Sequence, residues 1–78
     1  MDYTLYAATY CPFCKKVESF MKENNIDNVD VVYVDKDNAA KEALIQGGGN
    51  KQVPCLHFGD QWMYESDDII AYMKENLL

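Results

Sequence analysis

Cys11 and Cys14 stand three positions apart in the stretch ATYCPFCKKVESFM, residues 8–21, with Pro12 and Phe13 between them. That spacing permits three chemistries: a pair of metal ligands, a structural disulfide, or two thiols built for redox exchange. The surrounding residues separate them. After Cys14, Val17, Phe20 and Met21 recur at helical spacing with lysines and glutamates opposite, which predicts a helix from Phe13 to about Asn24. Pro12 suits a first helical position, because its φ is already helical and its missing N–H would go unpaired there. Cys11 then sits at or beside the helix N-terminus, where free N–H groups of Phe13, Cys14 and Lys15 point back toward its sulfur. Such a setting favours the thiolate, and Lys15 and Lys16 add a little positive charge. Cys14 lies one turn in and is expected to be less exposed. Residues three apart on a helix are neighbours at about 5–6 Å, within reach of a disulfide. Cys11 is thus expected to attack and Cys14 to resolve.

The competing chemistries fit less well. A zinc site needs four ligands, and Cys11, Cys14, Cys55 and His57 supply four. No second Cys-x-x-Cys accompanies them, and a proline at a helix start is foreign to zinc knuckles. A structural disulfide between Cys11 and Cys14 closes too short a loop to stabilise much. Inert thiols are a poor account of Cys-Pro-Phe-Cys at a helix start. The redox reading is the one these residues favour.

The chain that must position them has 78 residues, enough for one domain, 1–78, close to the size where a single core just suffices. Apolar residues make up 49% and charged residues 26%, an ordinary globular balance. A net charge of −6 opposes phosphate binding, so no nucleic-acid partner is expected. No apolar run is long enough to span a membrane, and nothing near Met1 reads as a secretion signal. Three cysteines, an odd number, argue against a disulfide-stapled secreted framework. The expectation is a soluble cytoplasmic monomer.

The elements follow from periodicity. YTLYA alternates as a strand, with Tyr3, Leu5 and Ala7 on one face, and VDVVYV reads as a second, β-rich strand. Residues 38–46 are strong helix formers with Asn38 as expected N-cap and Gly47 as the stop; GGGNKQ then reads as a flexible loop. VPCLHF and QWMY read as two strands joined by the hairpin signal Gly59-Asp60. Ser66 is the expected cap of a last helix through about Asn76, with Asp67 and Asp68 complementing its dipole. The order β-α-β-α-β-β-α opens with a parallel pair and closes with an antiparallel hairpin. That makes a four-stranded mixed sheet flanked by three helices, an α/β domain of minimal size.

In this order and spacing, CPFC after the first strand, KQVP before the third and YESDDIIAYM opening the last helix resemble the glutaredoxins. These are the glutathione-using branch of the thioredoxin fold, and the resemblance covers nearly the whole chain. QVPCL followed by YESDDII is also similar to the N-terminal domain of glutathione transferases. The resemblance implies a thioredoxin-like fold and a glutathione-dependent thiol–disulfide oxidoreductase that reduces protein disulfides and glutathionylated proteins. It implies a cis Val53–Pro54 bond facing the thiols, with the Val53 backbone pairing with glutathione as in strand addition. Glutathione is then the reducing co-substrate, and no metal is expected. Its γ-glutamyl carboxylate would meet the start of the last helix at Ser66 and Asp67, and its amino group would meet Asp67. Glu65 matches the transferase form of that contact, and Lys51 matches a basic position that reaches the glycine carboxylate. Tyr10, Pro12, Phe13 and Gln52 complete the implied binding residues beside Cys11 and Cys14.

Each of these residues also has a plainer role open to it. Ser66 and Asp67 would cap a helix regardless, Lys51 would serve as a solvated loop lysine, and Trp62 and the tyrosines would serve as packing. Three positions depart from the family's pattern. Ala8 stands where many glutaredoxins carry lysine, Phe13 replaces a tyrosine, and Cys55 directly follows Pro54. Ala8 motivates an alternative in which thioredoxin reductase recycles the dithiol. A further alternative is a dimer sharing an iron–sulfur cluster through Cys11 and glutathione; Pro12, in place of the glycine of cluster-binding relatives, speaks against it.

Overall fold

The strand Tyr3–Ala7 (β1) is buried on both faces, Leu5, Tyr6 and Ala7 being consecutive core residues, and it takes a central place in the sheet. A computed structural model describes residues 2–78. After β1 come α1 (Pro12–Glu23), β2 (Val29–Tyr33), α2 (Asn38–Gly48), β3 (Cys55–Phe58), β4 (Gln61–Met63) and α3 (Ser66–Asn76). The sheet runs β2-β1-β3-β4, with β1 parallel to β2, antiparallel to β3, and β3 antiparallel to β4. This is the mixed four-stranded sheet that the element order predicts. Among the described residues no helix is long and apolar enough to cross a membrane.

Alternation along the strands divides the core in two. Leu5 pairs with Leu56 on one face, where α1 and α3 cover them with Val17, Met21, Ile69 and Met73. Tyr6 pairs with Cys55 on the other face, where α2 supplies Ala40 and Leu44 and β4 supplies Trp62. Leu5, Leu56, Leu44, Val17, Ile69 and Met73 have no accessible surface. Fully burying such a side chain contributes about 1.5–3 kcal/mol. No charged or polar side chain is buried among the described residues, so the core is held by apolar packing alone.

The helix ends differ from the sequence expectation in instructive ways. Asp37, not Asn38, caps α2, its carboxylate accepting from the N–H groups of Ala39 and Ala40. Asn38 is simply the first helical residue. The helix continues through Gly47 and Gly48 and stops at Gly49, whose φ of 79° is the left-handed geometry glycine accepts at no steric cost. The first two residues of the expected GGGNKQ loop are therefore helical. Glu65 occupies the N-cap position of α3 without a side-chain cap bond, and Ser66 is the first helical residue instead of the cap. β3 begins at Cys55, after Pro54, because proline has no N–H to give to the ladder. Gly59, at φ 56°, takes the first central position of the Gly59-Asp60 hairpin turn.

Gly47 has a packing role. A Cβ built there would lie 2.1 Å from the six-membered ring of Trp62, and one at Gly48 would meet the Tyr64 hydroxyl. The Trp62 ring is confined, stacked on His57 at 3.8 Å and packed against Tyr6 at 5.7 Å. A helical Gly→Ala change normally stabilises by about 0.5–1 kcal/mol. Overpacking against a confined ring costs about 1–3 kcal/mol. Gly47→Ala is therefore expected to destabilise the chain by about 1 kcal/mol net. Urea denaturation measures it. In a Trp62→Ala background the same change should become neutral or stabilising.

Candidate active site

The site begins where β1 hands over to α1. Cys11 is the N-cap of α1, with extended backbone (φ −92°, ψ 115°), and Pro12 is its first helical residue. The Cys14 N–H points back and donates to the Cys11 sulfur at 3.2 Å. The Cys11 N–H in turn bonds the Ala8 carbonyl at 3.3 Å, tightening the turn beneath the thiol. Across from it, the Val53 carbonyl lies 3.9 Å from the Cys11 sulfur. The Val53–Pro54 peptide bond is cis, as the resemblance implies.

Cys14 is fully buried on the inner side of the helix, whereas Cys11 keeps 8% of its surface. Burial, and then its hydrogen bond to Cys11, push the Cys14 thiol up to about 12. Burial also pushes Cys55 up to about 11. Both groups stay protonated at neutral pH. In the described structure all three cysteines are free thiols.

A cleft of about 220 Å³ opens beside Val53, the residue whose carbonyl faces the Cys11 sulfur. It is lined by Phe13 from α1, Gln52, Val53 and Pro54 from the loop before β3, and Tyr64, Glu65, Ser66 and Asp67 at the start of α3. Seven of the residues expected around glutathione thus converge from three separate segments. Tyr10, Pro12 and Lys51 do not line the cleft. Tyr10 is 76% exposed on the rim beside Cys11, and Pro12 and Lys51 are exposed as well. Ala8 is buried and brings no charge to this end. His57 stacks on Trp62, and no three Cys, His, Asp or Glu side chains gather as metal ligands would among the described residues.

Two contacts at the site were not expected from the sequence. The Tyr64 hydroxyl donates to the Asn50 carbonyl at 3.2 Å, tying the loop that carries Gln52 to the cleft wall. Its place directly before Glu65 was the only hint in the sequence. Lys16 reaches from α1 to pair with Asp67 at 2.5 Å. Fifty-one positions separate the two, and no local pattern signals the contact.

A buried Cys-x-x-Cys at a helix start, facing a cis-proline across a mixed sheet, is the arrangement of a thioredoxin-fold thiol–disulfide oxidoreductase. Comparison with known proteins narrows the class. The glutaredoxin family model matches residues 3–63. The Synechocystis sp. protein named probable glutaredoxin ssr2061 is 29% identical over 68 residues, covering 86% of this chain and 76% of that protein. Glutathione S-transferase DHAR3 of Arabidopsis thaliana is 34% identical over 65 residues, covering 83% of this chain but only 24% of that longer protein. Among solved structures, a T8A mutant of the thioredoxin-like protein BC3987 superposes with a TM-score of 0.81 at 25% identity, covering 99% of this chain and all of that one. A buckwheat glutaredoxin–glutathione complex superposes at 0.71 and 20% identity, covering 94% of this chain and 68% of that one. The chain belongs to the glutaredoxin family.

Two outcomes follow from the thiol environments. At neutral pH, limiting iodoacetamide should place one adduct per chain, on Cys11, and Cys11→Ser should abolish it; intact mass and peptide mapping read the result. The folded chain also holds the Cys14 and Cys55 protons more tightly than the unfolded chain, where a thiol has its ordinary value of 9.0. This contribution to stability is complete below about pH 9 and is lost as pH rises toward about 11 to 12. The urea midpoint should fall across that window, and Cys55→Ala should flatten the fall.

Proposed function

We propose that this chain is a glutathione-dependent disulfide reductase acting on protein disulfides and glutathionylated proteins. The observation that carries the reading is that Val53, whose carbonyl lies 3.9 Å from the Cys11 sulfur, lines one cleft together with the start of α3. An extended tripeptide fits that layout. Its cysteinyl unit pairs with the Val53 backbone, its sulfur turns to Cys11, and its γ-glutamyl end reaches Ser66 and Asp67. Glu65 and Gln52 flank it, Phe13 covers one wall, and Lys51 is offered to the glycine carboxylate. Tyr10 and Pro12 shape the entrance for the protein substrate.

The chemistry balances as two thiol–disulfide exchanges. The Cys11 thiolate attacks the glutathione sulfur of a mixed disulfide; an S–S bond forms between them, and the protein thiolate leaves and takes up a proton. A second glutathione thiolate then attacks the Cys11-bound sulfur. It releases glutathione disulfide and regenerates Cys11. For a protein disulfide, Cys14 gives up its proton and attacks the mixed disulfide at Cys11 instead. The Cys11–substrate S–S bond breaks, the substrate thiolate leaves and takes up a proton, and a Cys11–Cys14 bond forms; two glutathiones later reduce it to two thiols and leave as glutathione disulfide. This cycle needs a glutathione pool, as the cytoplasm holds, and a single copy of the chain suffices for it.

The expected behaviour is that wild type reduces a peptide–glutathione mixed disulfide with glutathione as electron source, and that Cys11→Ser loses the activity. Cys14→Ser should keep activity toward the mixed disulfide and lose it toward protein disulfides. Retained turnover in Cys11→Ser overturns the assignment. The buried, uncharged Ala8 favours one second reading, recycling by thioredoxin reductase. Turnover with that reductase and none with glutathione would establish it.

A further inference from the structure

The Lys16–Asp67 pair spans the gap between α1 and α3 at the edge of the cleft, and only Asp67 of the two lines it. The ammonium nitrogen sits 2.5 Å from Oδ1. No hydrogen bond within the described residues reaches Oδ2. Both side chains are open to solvent, at 51% and 84%, so the pair is not a packed strut between the helices. An exposed contact of this kind contributes little to folding and reorganises cheaply. Its placement beside a ligand cleft is what calls for an account.

We propose that Lys16, held beside Asp67, is a specificity-determining residue that meets the α-carboxylate at the γ-glutamyl end of glutathione. This rests on the glutathione reading above. The γ-glutamyl end of the ligand carries an ammonium and a carboxylate on one carbon. The protein pair presents the two opposite charges side by side. The ligand ammonium takes Asp67 Oδ2, which the lysine leaves open. The ligand carboxylate then lies against Lys16 and the free N–H groups that begin α3. The four charges alternate in sign around the contact, so the ligand adds to the pair without displacing it.

The sign of the effect follows from what surrounds the cleft. Glu65 and Asp67 both line it, on a chain of net charge −6, and both repel an incoming carboxylate. Lys16 cancels that repulsion at the point where the carboxylate arrives. Its removal leaves Asp67 able to hold the ammonium but hostile to the group beside it. Selectivity for the γ-glutamyl arm, not turnover as such, is the property Lys16 controls.

The test compares KM for two mixed disulfides of one carrier peptide, one with glutathione and one with cysteinylglycine, which lacks the γ-glutamyl arm. Wild type, Lys16→Ala, Lys16→Glu and Lys16→Arg are measured at low and high salt. Lys16→Ala should raise KM for the glutathione substrate about threefold to fivefold. Lys16→Glu should raise it further, Lys16→Arg should restore it, and salt should narrow the differences. The rise should be absent with cysteinylglycine. If wild type prefers the glutathione substrate and every Lys16 variant keeps that preference in full, the role given to Lys16 is overturned while the glutathione reading stands. If wild type shows no preference between the substrates, the glutathione reading itself fails, and this inference with it.

Discussion

The hydrogen bond from the Cys14 amide to the Cys11 sulfur is the contact on which the site depends. It exists because Cys11 stands at the N-cap of α1, where the helix has unpaired N–H groups and no side-chain oxygen to satisfy them. A sulfur takes the place that serine or aspartate usually holds. The same geometry gives the two thiols different surroundings. Cys11 looks out toward the Val53 carbonyl and the cleft, while Cys14 is turned inward, where burial holds its proton. One helix start thus gives two neighbouring sulfurs different surroundings without any charged residue buried among the described residues.

The rest of the fold keeps the facing edge in place. β1 and β3 pair antiparallel through Tyr6 and Cys55, which sets Pro54 and Val53 just past the end of the ladder and opposite the α1 start. The loop before them is restrained from outside. Gly47 lets the last turn of α2 lie against the Trp62 ring, and the Tyr64 hydroxyl holds the Asn50 carbonyl. A stretch with three glycines is therefore pinned at both ends. Beyond the sheet, the Thr9 hydroxyl and amide both bond the Asp35 carboxylate, fastening the turn before Cys11 to the end of β2.

Much of this was legible in the residues because it is local. The helix after Cys14 shows in the spacing of Val17 and Met21, and the hairpin shows in Gly59-Asp60 between two apolar runs. The convergence of CPFC, QVP and ESDD was legible only through resemblance, since nothing in spacing says that residues 11, 53 and 67 meet. The errors were at helix ends. Asp37 and Asn38 are both good caps, and only the backbone decides between them; Gly47 reads as a stop until Trp62 shows why a side chain is excluded there. Ser66 has the chemistry of a cap but falls one position inside α3. The Lys16–Asp67 contact joins two amphipathic helices at their exposed edges, and periodicity carries no information about which edges meet.

On the function proposed above, Cys11 alone carries glutathione as a covalent intermediate. Intact mass and peptide mapping of Cys14→Ser after incubation with glutathione disulfide test it most directly. One glutathione per chain is expected, attached to Cys11 and released by fresh glutathione. Attachment at Cys55, or no attachment while Cys11 remains open to alkylation, would contradict it.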